Sequence, residues 1–544
     1  MALTPKPPLS ITTLANLTIL SLLFFSGPSH STQPLDKTQE QRFVDCFGDL
    51  IHDPLLNFTI LHALGTPSYE EYFKAPIKNL RFINSTSNKP SFIMTPTSLQ
   101  QISNAFVCAR NASFHIRARS GGHDYEGLSY ISQSSNPYIL IDLNSSSIVI
   151  DIEKGNAMVQ SGATIGELYY EIAQKSNTTA FPAGICPTIG VGGHFIGGGI
   201  GALMRKYGVS ADNIEDVRVV RPDGALVGRI NMGEDHFWAI RGGGSNFGII
   251  TAFQIRLVSV PPIVTTFAIT KTLEQGAARL VERWQHVAPK LDDDAFIRII
   301  ALAADDKESN EKRTINATFQ CLFLGGASKL VAIMDEKFPE LGVKPEDCEE
   351  MSWIQSVLDF AGYGKNASLE ILKSRKPQFE GSYKGKSDFV KEPISEKGWN
   401  EIWRFMMEGK DEPVVMIMDP WGGKLDEIDE GDIAFPHRKG NLYNIQYFMR
   451  WPEKDEQVAK RHLDWMRKFY ELMTPYVSKS PRAAYLNYKD LDLGWNKETS
   501  TNYSDASVWG EKYFLNNYKK LAYVKGKVDP YSIMWDEQSI HPLL

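Results

Sequence analysis

Arg119-Ser-Gly-Gly-His-Asp-Tyr125 and Pro182-Ala-Gly-Ile-Cys-Pro-Thr-Ile-Gly190 decide how this chain is read. Each places a nucleophile, His123 or Cys186, in a glycine-flanked turn where missing Cβ atoms let backbone approach a large ligand. A third run, Gly192-Gly-His-Phe-Ile-Gly-Gly-Gly-Ile-Gly201, follows directly. Glycine in a regular element costs ~0.5–1 kcal/mol relative to alanine. Such density therefore points to a bound planar or phosphate-bearing group rather than to packing.

These motifs resemble the berberine bridge enzyme-like family of plant flavoproteins, in the vanillyl-alcohol-oxidase fold group. The resemblance runs from about Cys46 to the C-terminus and also takes in Arg241–Phe253, Phe435–Tyr447 and Tyr485–Leu493. It implies an α+β, two-domain fold: an FAD domain, then an antiparallel-sheet substrate domain covered by helices. It also implies FAD attached covalently twice, through His123 to the 8α-methyl and through Cys186 to C6. The backbone around Arg119, Ser120, Gly121 and Gly122, and around Gly190, Gly192, Gly193, Gly197 and Gly198, is expected to bind pyrophosphate and ring oxygens. The loop carrying Asn246 and Gly248 resembles the family's adenine and ribose loop.

At 544 residues the chain exceeds one core. The expected division is a signal peptide at 1–31, the FAD domain at 32–262, the substrate domain at 263–477, and a C-terminal segment at 478–544 that returns to the FAD domain. Residues 1–31 carry one charge, Lys6, then an apolar run and small residues, the pattern of a cleaved secretory leader. Nothing else approaches the ~18 apolar residues of a membrane span. A net charge of −7, without a basic arm, argues against nucleic acid or an anionic membrane as partner. A monomer acting on a small molecule is expected, in the extracellular space, the cell wall or the vacuole.

The secretory route lets cysteines pair. By resemblance Cys46 joins Cys108; Cys321 and Cys348 could pair, but two buried thiols are favoured. Eight Asn-x-Ser/Thr sequons follow the leader, at Asn57, Asn84, Asn111, Asn144, Asn177, Asn316, Asn366 and Asn502. No zinc-type spacing occurs, so no metal is expected.

Hydrophobic periodicity predicts strands at 92–96, 114–119, 138–142, 147–151, 157–161 and 249–257 and a Pro-Asp-Gly hairpin over 217–227. It predicts helices over 98–110 and 164–176, the latter with a Thr164/Glu167 capping box. Beyond Ile263, strands 267–270, 296–304 and 314–324 alternate with helices 273–287, 328–340 and 396–408. Lys373–Lys391 reads as a polar, lysine-rich linker.

The resemblance also supplies substrate-site candidates. In Leu486-Asn-Tyr488-Lys-Asp-Leu-Asp492 the tyrosine matches the proposed base of alcohol-oxidising members. A phenol of ordinary pKa ~10 needs stabilising before it acts as a base near neutrality. Tyr125 and Gln446 would orient substrate. Monolignol-oxidising members carry a lysine where Asn444 stands and a tyrosine where Ile200 stands. Berberine bridge enzyme has a basic glutamate at the Gln446 position, and cannabinoid-forming members a glutamate at that of Asn444. In Asp419-Pro-Trp421-Gly-Gly, Asp419 is either a turn residue or the anion for a cationic amine. Ile189, three residues after Cys186, stands where the family gates oxygen. Together these tilt the reading from monolignols towards an alkaloid or other polycyclic substrate oxidised at a C–N or C–O carbon. Alternatives are a monolignol or carbohydrate oxidoreductase, or a defence or allergen-like protein that keeps flavin without turnover.

Overall fold

The structure, a computed structural model, describes residues 37–51, 59–305, 313–497 and 501–543. The leader at 1–31 and the sequon at Asn57 lie outside the described residues.

Among the described residues the first half builds two small sheets and a two-stranded pair, Thr179–Ala180 with Val258–Ser259. In one, Tyr138–Asp142 lies between Phe92–Met94 and His115–Arg119, parallel to both. In the other, Ile249–Arg256 is central between Asn156–Gln160 and Ile214–Val220, all antiparallel. Helix Ile165–Lys175 starts at the Thr164/Glu167 capping box, and Leu99–Ala112 at a box formed by Ser98 and Gln101. Helix Gln39–Ile51 is joined to Leu99–Ala112 by the Cys46–Cys108 disulfide. That bond suits an oxidising compartment. Cys321 and Cys348 are free thiols, the first buried and the second half-buried.

Among the described residues the second half is one antiparallel sheet of seven strands, ordered Glu349–Met351, Val264–Lys271, Arg313–Phe323, Ala295–Asp305, Val414–Pro420, Tyr443–Trp451, Ser382–Val390. Side chains alternate between its faces. Ile297, Ile299, Met416, Met418, Ile445 and Tyr447 pack against helices Ala277–Val287, Glu396–Glu408 and Glu456–Leu472. The alternate positions Arg298, Ile417, Asp419, Gln446, Phe448 and Arg450 face a cavity instead.

The linker expected over Lys373–Lys391 is not one. Ser382–Val390 inside it is a wholly buried edge strand paired residue by residue with Tyr443–Trp451. Its lysines misled the reading because their charges are matched in the interior. Lys384 contacts Glu126 and lies 2.7 Å from Asp490; Lys386 lies 2.7 Å from both Asp490 and Asp492. These pairs tie the sheet to the first half and to the C-terminal segment. Residues of that segment, including Tyr485, Trp509, Tyr513 and Leu521, share a core with Val159, Ile165 and Phe253. Glu537, fully buried, meets Arg117 at 3.1 Å.

Among the described sequons, Asn84, Asn111, Asn144, Asn177, Asn366 and Asn502 are exposed. Asn316 lies half-buried in a central strand, and the Asn502 side chain caps helix Tyr503–Phe514. Among the described residues no helix is long and apolar enough to cross a membrane, and no His/Cys/Asp/Glu cluster could hold a metal.

Candidate active site

The two nucleophile loops touch. A Cβ on Gly121 would collide with the backbone of Gly190, and one on Gly190 with that of Gly121. Gly122 holds φ +69°, a left-handed conformation, with Pro76 O 2.6 Å from where a Cβ would stand. This crossing brings His123 Nε2 to 3.0 Å from Thr188 Oγ1, itself 3.5 Å from Cys186 Sγ. Thr188, which sequence reasoning did not single out, thus bridges the two nucleophiles. Its place within Cys186-Pro-Thr188 was the available signal. Removal from water, helped by the Lys78 cation, lowers the His123 pKa to about 3, so its ring is neutral and nucleophilic at pH 7. Cys186 is exposed and free.

A cavity of about 580 Å³ runs from these loops to the seven-stranded sheet. Ser120, Gly121, Gly122, Gly190, Gly192, Gly193, Asn246 and Gly248 line it. Gly193 has only open space where a Cβ would be. The Val191 and Gly192 amides are bound to Ala163 O and Ser161 O, so fewer N–H groups serve a ligand than the glycine run suggested. Asn246 spends its amide on Gly243 O and on Ile540 N, which fastens the C-terminus.

Three residues expected at the cofactor lie elsewhere. Arg119 is fully buried against Asp142 and Tyr72 O, pointing away from the cavity. Gly197 is glycine because Asn487 occupies its Cβ space, and Gly198, at φ +112°, because Phe435 lies against it. Two substrate candidates are also displaced. Trp421 is buried under Phe389, donating to His437 O, and the Asn444 side chain donates to Asp388 O. Neither lines the cavity, because each is used to hold strand ends together.

The remaining substrate-end residues do converge. Gln446 Nε2 donates to Tyr125 OH at 2.5 Å. The Tyr125 ring fits because position 385 is glycine, where a Cβ would strike it. Tyr125 and Tyr488 lie parallel, centroids 5.8 Å apart. Tyr485 OH accepts from Gly199 N and Ile200 N, which fixes the floor beneath Ile200. Desolvation, with Tyr125 and Asp419 nearby, holds the Tyr488 phenol well above its ordinary 10, opposite to what a phenolate base requires. Asp419 lines the same wall, its Oδ1 without a hydrogen-bond partner. Burial, opposed by Arg298, pushes its carboxyl up to about 6.

The residues fit FAD. Two glycine loops form a shallow floor open at Gly193, a neutral imidazole and a thiol stand at one point beside it, and an apolar and aromatic wall faces it. A family model described as FAD binding domain matches residues 90–228, and one described as berberine and berberine-like matches 484–541. Tetrahydroberberine oxidase of Berberis wilsoniae is 49% identical over 487 residues, 89% of this chain and 91% of that relative. Monolignol oxidoreductase AtBBE-like 13 of Arabidopsis thaliana is 43% identical over 532 residues, 97% of each chain. The solved structure of Phl p 4, a grass pollen allergen with glucose dehydrogenase activity, superposes with a TM-score of 0.86 at 43% identity, covering 92% of this chain and 100% of that one. A variant of Phl p 4 with one isoleucine changed to valine is described as a glucose oxidase.

Proposed function

This chain belongs to the berberine bridge enzyme-like family of FAD-linked oxidoreductases, and on that premise we propose that it oxidises the carbon beside nitrogen in a small alkaloid. The observation that carries the reading is Asp419, a buried carboxylate whose Oδ1 accepts no hydrogen bond, in a wall with Ile417, Phe448, Tyr488 and Gln446 where Arg298 and Arg450 also face the cavity. Such a wall suits a flat polycyclic cation. The likeness to an enzyme named for an alkaloid, tetrahydroberberine, supports the same class. The lysine of monolignol-oxidising members is missing at Asn444, whose side chain is in any case spent on the neighbouring strand.

FAD, held through His123 and Cys186, supplies the hydride acceptor. Gln446 and Tyr125 orient the substrate, and the Tyr125/Tyr488 pair gives it a stacking face. We place the protein on the secretory route to the cell wall or vacuole, as a monomer carrying glycans at its exposed sequons. Anaerobic mixing of the flavin-loaded protein with tetrahydroberberine, a monolignol or glucose tests the reading. Fast bleaching of the flavin band by the amine alone is expected. Bleaching by the monolignol or glucose instead would move the substrate class, and none with any compound would favour a flavin-retaining defence protein.

Ile189 lines the cavity between Cys186 and Gly190. Its extra methylene relative to valine fills space next to the flavin site, and interiors leave few voids. Slow reoxidation by O2 is expected. Ile189→Val should speed it roughly tenfold or more, equivalent to ~1.4 kcal/mol of barrier. Stopped-flow mixing of reduced protein with oxygenated buffer measures this; fast wild-type reoxidation, unchanged in the variant, rules out the gate.

A further inference from the structure

Among the described residues, the buried carboxylates other than Asp419 are paired. Glu126, Asp142, Asp388, Asp490 and Glu537 each meet an arginine or lysine, Asp529 meets Lys525, and Glu412 meets Arg461 and His462. Among the described residues Asp419, 8% exposed, is the exception: it takes part in no ion pair, and its Oδ1 accepts no hydrogen bond. An unpaired buried carboxylate is costly and persists where something outside the fold completes it.

The ladder places it well. Asp419 is the penultimate residue of strand Val414–Pro420, one residue past Met418, which pairs with Ile299 beside Arg298. Arg298 opposes the effect of burial on it but forms no ion pair with it: its Nε donates to Gln320 Oε1, and its guanidinium lies 5.1 Å over the Phe360 ring. From the C-terminal segment, Tyr485 and Tyr488 face the carboxylate, both with their phenols held protonated. Gln446 from the adjoining strand is neutral. Asp419 is thus the carboxyl group that strand Val414–Pro420 presents to the cavity, and burial holds it above its ordinary range.

We propose, building on the amine reading above, that Asp419 is the base that accepts the proton of the substrate's ammonium nitrogen before the neighbouring carbon is oxidised. The N–H bond breaks, its electron pair stays on nitrogen, and an O–H bond forms on Asp419. The freed lone pair then expels hydride from the adjacent carbon to the FAD, leaving an iminium. The Asp419 proton passes to solvent as product leaves. Tyr488 stays a phenol and packs the substrate ring.

Anaerobic reduction by tetrahydroberberine across pH 5–9 tests this. Wild type should slow as pH falls through about 6, where Asp419 becomes protonated. Asp419→Asn, unchanged in flavin content and melting temperature, should lose that limb and reduce ~10²–10⁴-fold more slowly at pH 7. Its rate should recover at high pH, where the amine arrives neutral; a merely structural role would not produce that recovery. Tyr488→Phe should keep the limb. By calorimetry, the quaternary N-methyl derivative, which has no proton to give, should bind Asp419→Asn more weakly than wild type. Amine oxidation without the limb, an Asn variant that keeps rate and limb, or a limb lost in Tyr488→Phe overturns the proposal alone. A wild type that leaves cyclic amines unoxidised overturns the substrate reading, and the proposal with it.

Discussion

Replacing His123 and Cys186 together by alanine is expected to turn a protein that stays yellow after acid precipitation into one that releases all its FAD. Both nucleophiles stand at one point of the cavity, bridged by the Thr188 hydroxyl. The His123 ring is neutral at working pH because burial and Lys78 oppose its protonation. Attack on carbon needs that free lone pair. Either single variant should keep flavin through the other residue, seen as a flavin-bearing tryptic peptide by mass spectrometry. Thr188→Val should slow attachment at His123, since the ring loses its one described hydrogen bond. A colourless wild-type precipitate with free FAD in the supernatant would show that neither bond forms.

Lys384→Met should cost about 3–5 kcal/mol of folding stability, the usual consequence of removing one partner from a buried ion pair. Lys384 meets Glu126, Asp490 and Asp492, and Lys386 meets the last two. The cluster joins the sheet to both the FAD half and the C-terminal segment. It also flanks Gly385, against which Tyr125 packs, and lies two residues from Tyr488, so substrate affinity should fall with stability. Burial alone would raise the Asp490 and Asp492 pKa values, but Lys384 and Lys386 outweigh it and hold both below 3.8. The stability they contribute is therefore present above ordinary carboxylate values and lost as pH falls below about 4. Denaturant titrations at pH 7 and pH 3 check both statements. A Lys384→Met loss under about 1 kcal/mol at pH 7 would mean the cluster is not what fastens the three parts.

Local signals were legible wherever chain neighbours suffice. Thr164 and Glu167 cap their helix, Glu396–Glu408 is helical over its expected range, and the Pro-Asp-Gly turn joins Ile214–Val220 to Leu226–Val227. The second half was under-read: three strands were expected where seven form, and helix Glu456–Leu472 was not anticipated. Ser382–Val390 was hidden because alternating lysines look solvated until carboxylates more than a hundred residues away in sequence are brought beside them.

The sequence by itself pointed to a bound planar or phosphate-bearing group, since a histidine and a cysteine in glycine turns are local patterns whose backbone freedom travels with the residues. The family resemblance of those motifs named the group as FAD. The tertiary structure decided which glycines serve a ligand and which serve packing, and it turned Arg119, Trp421 and Asn444 away from the cavity. It also held Tyr488 protonated and left Asp419 unpaired. Burial, charge neutralisation and side-chain direction arise only when distant strands meet, and no local pattern encodes them.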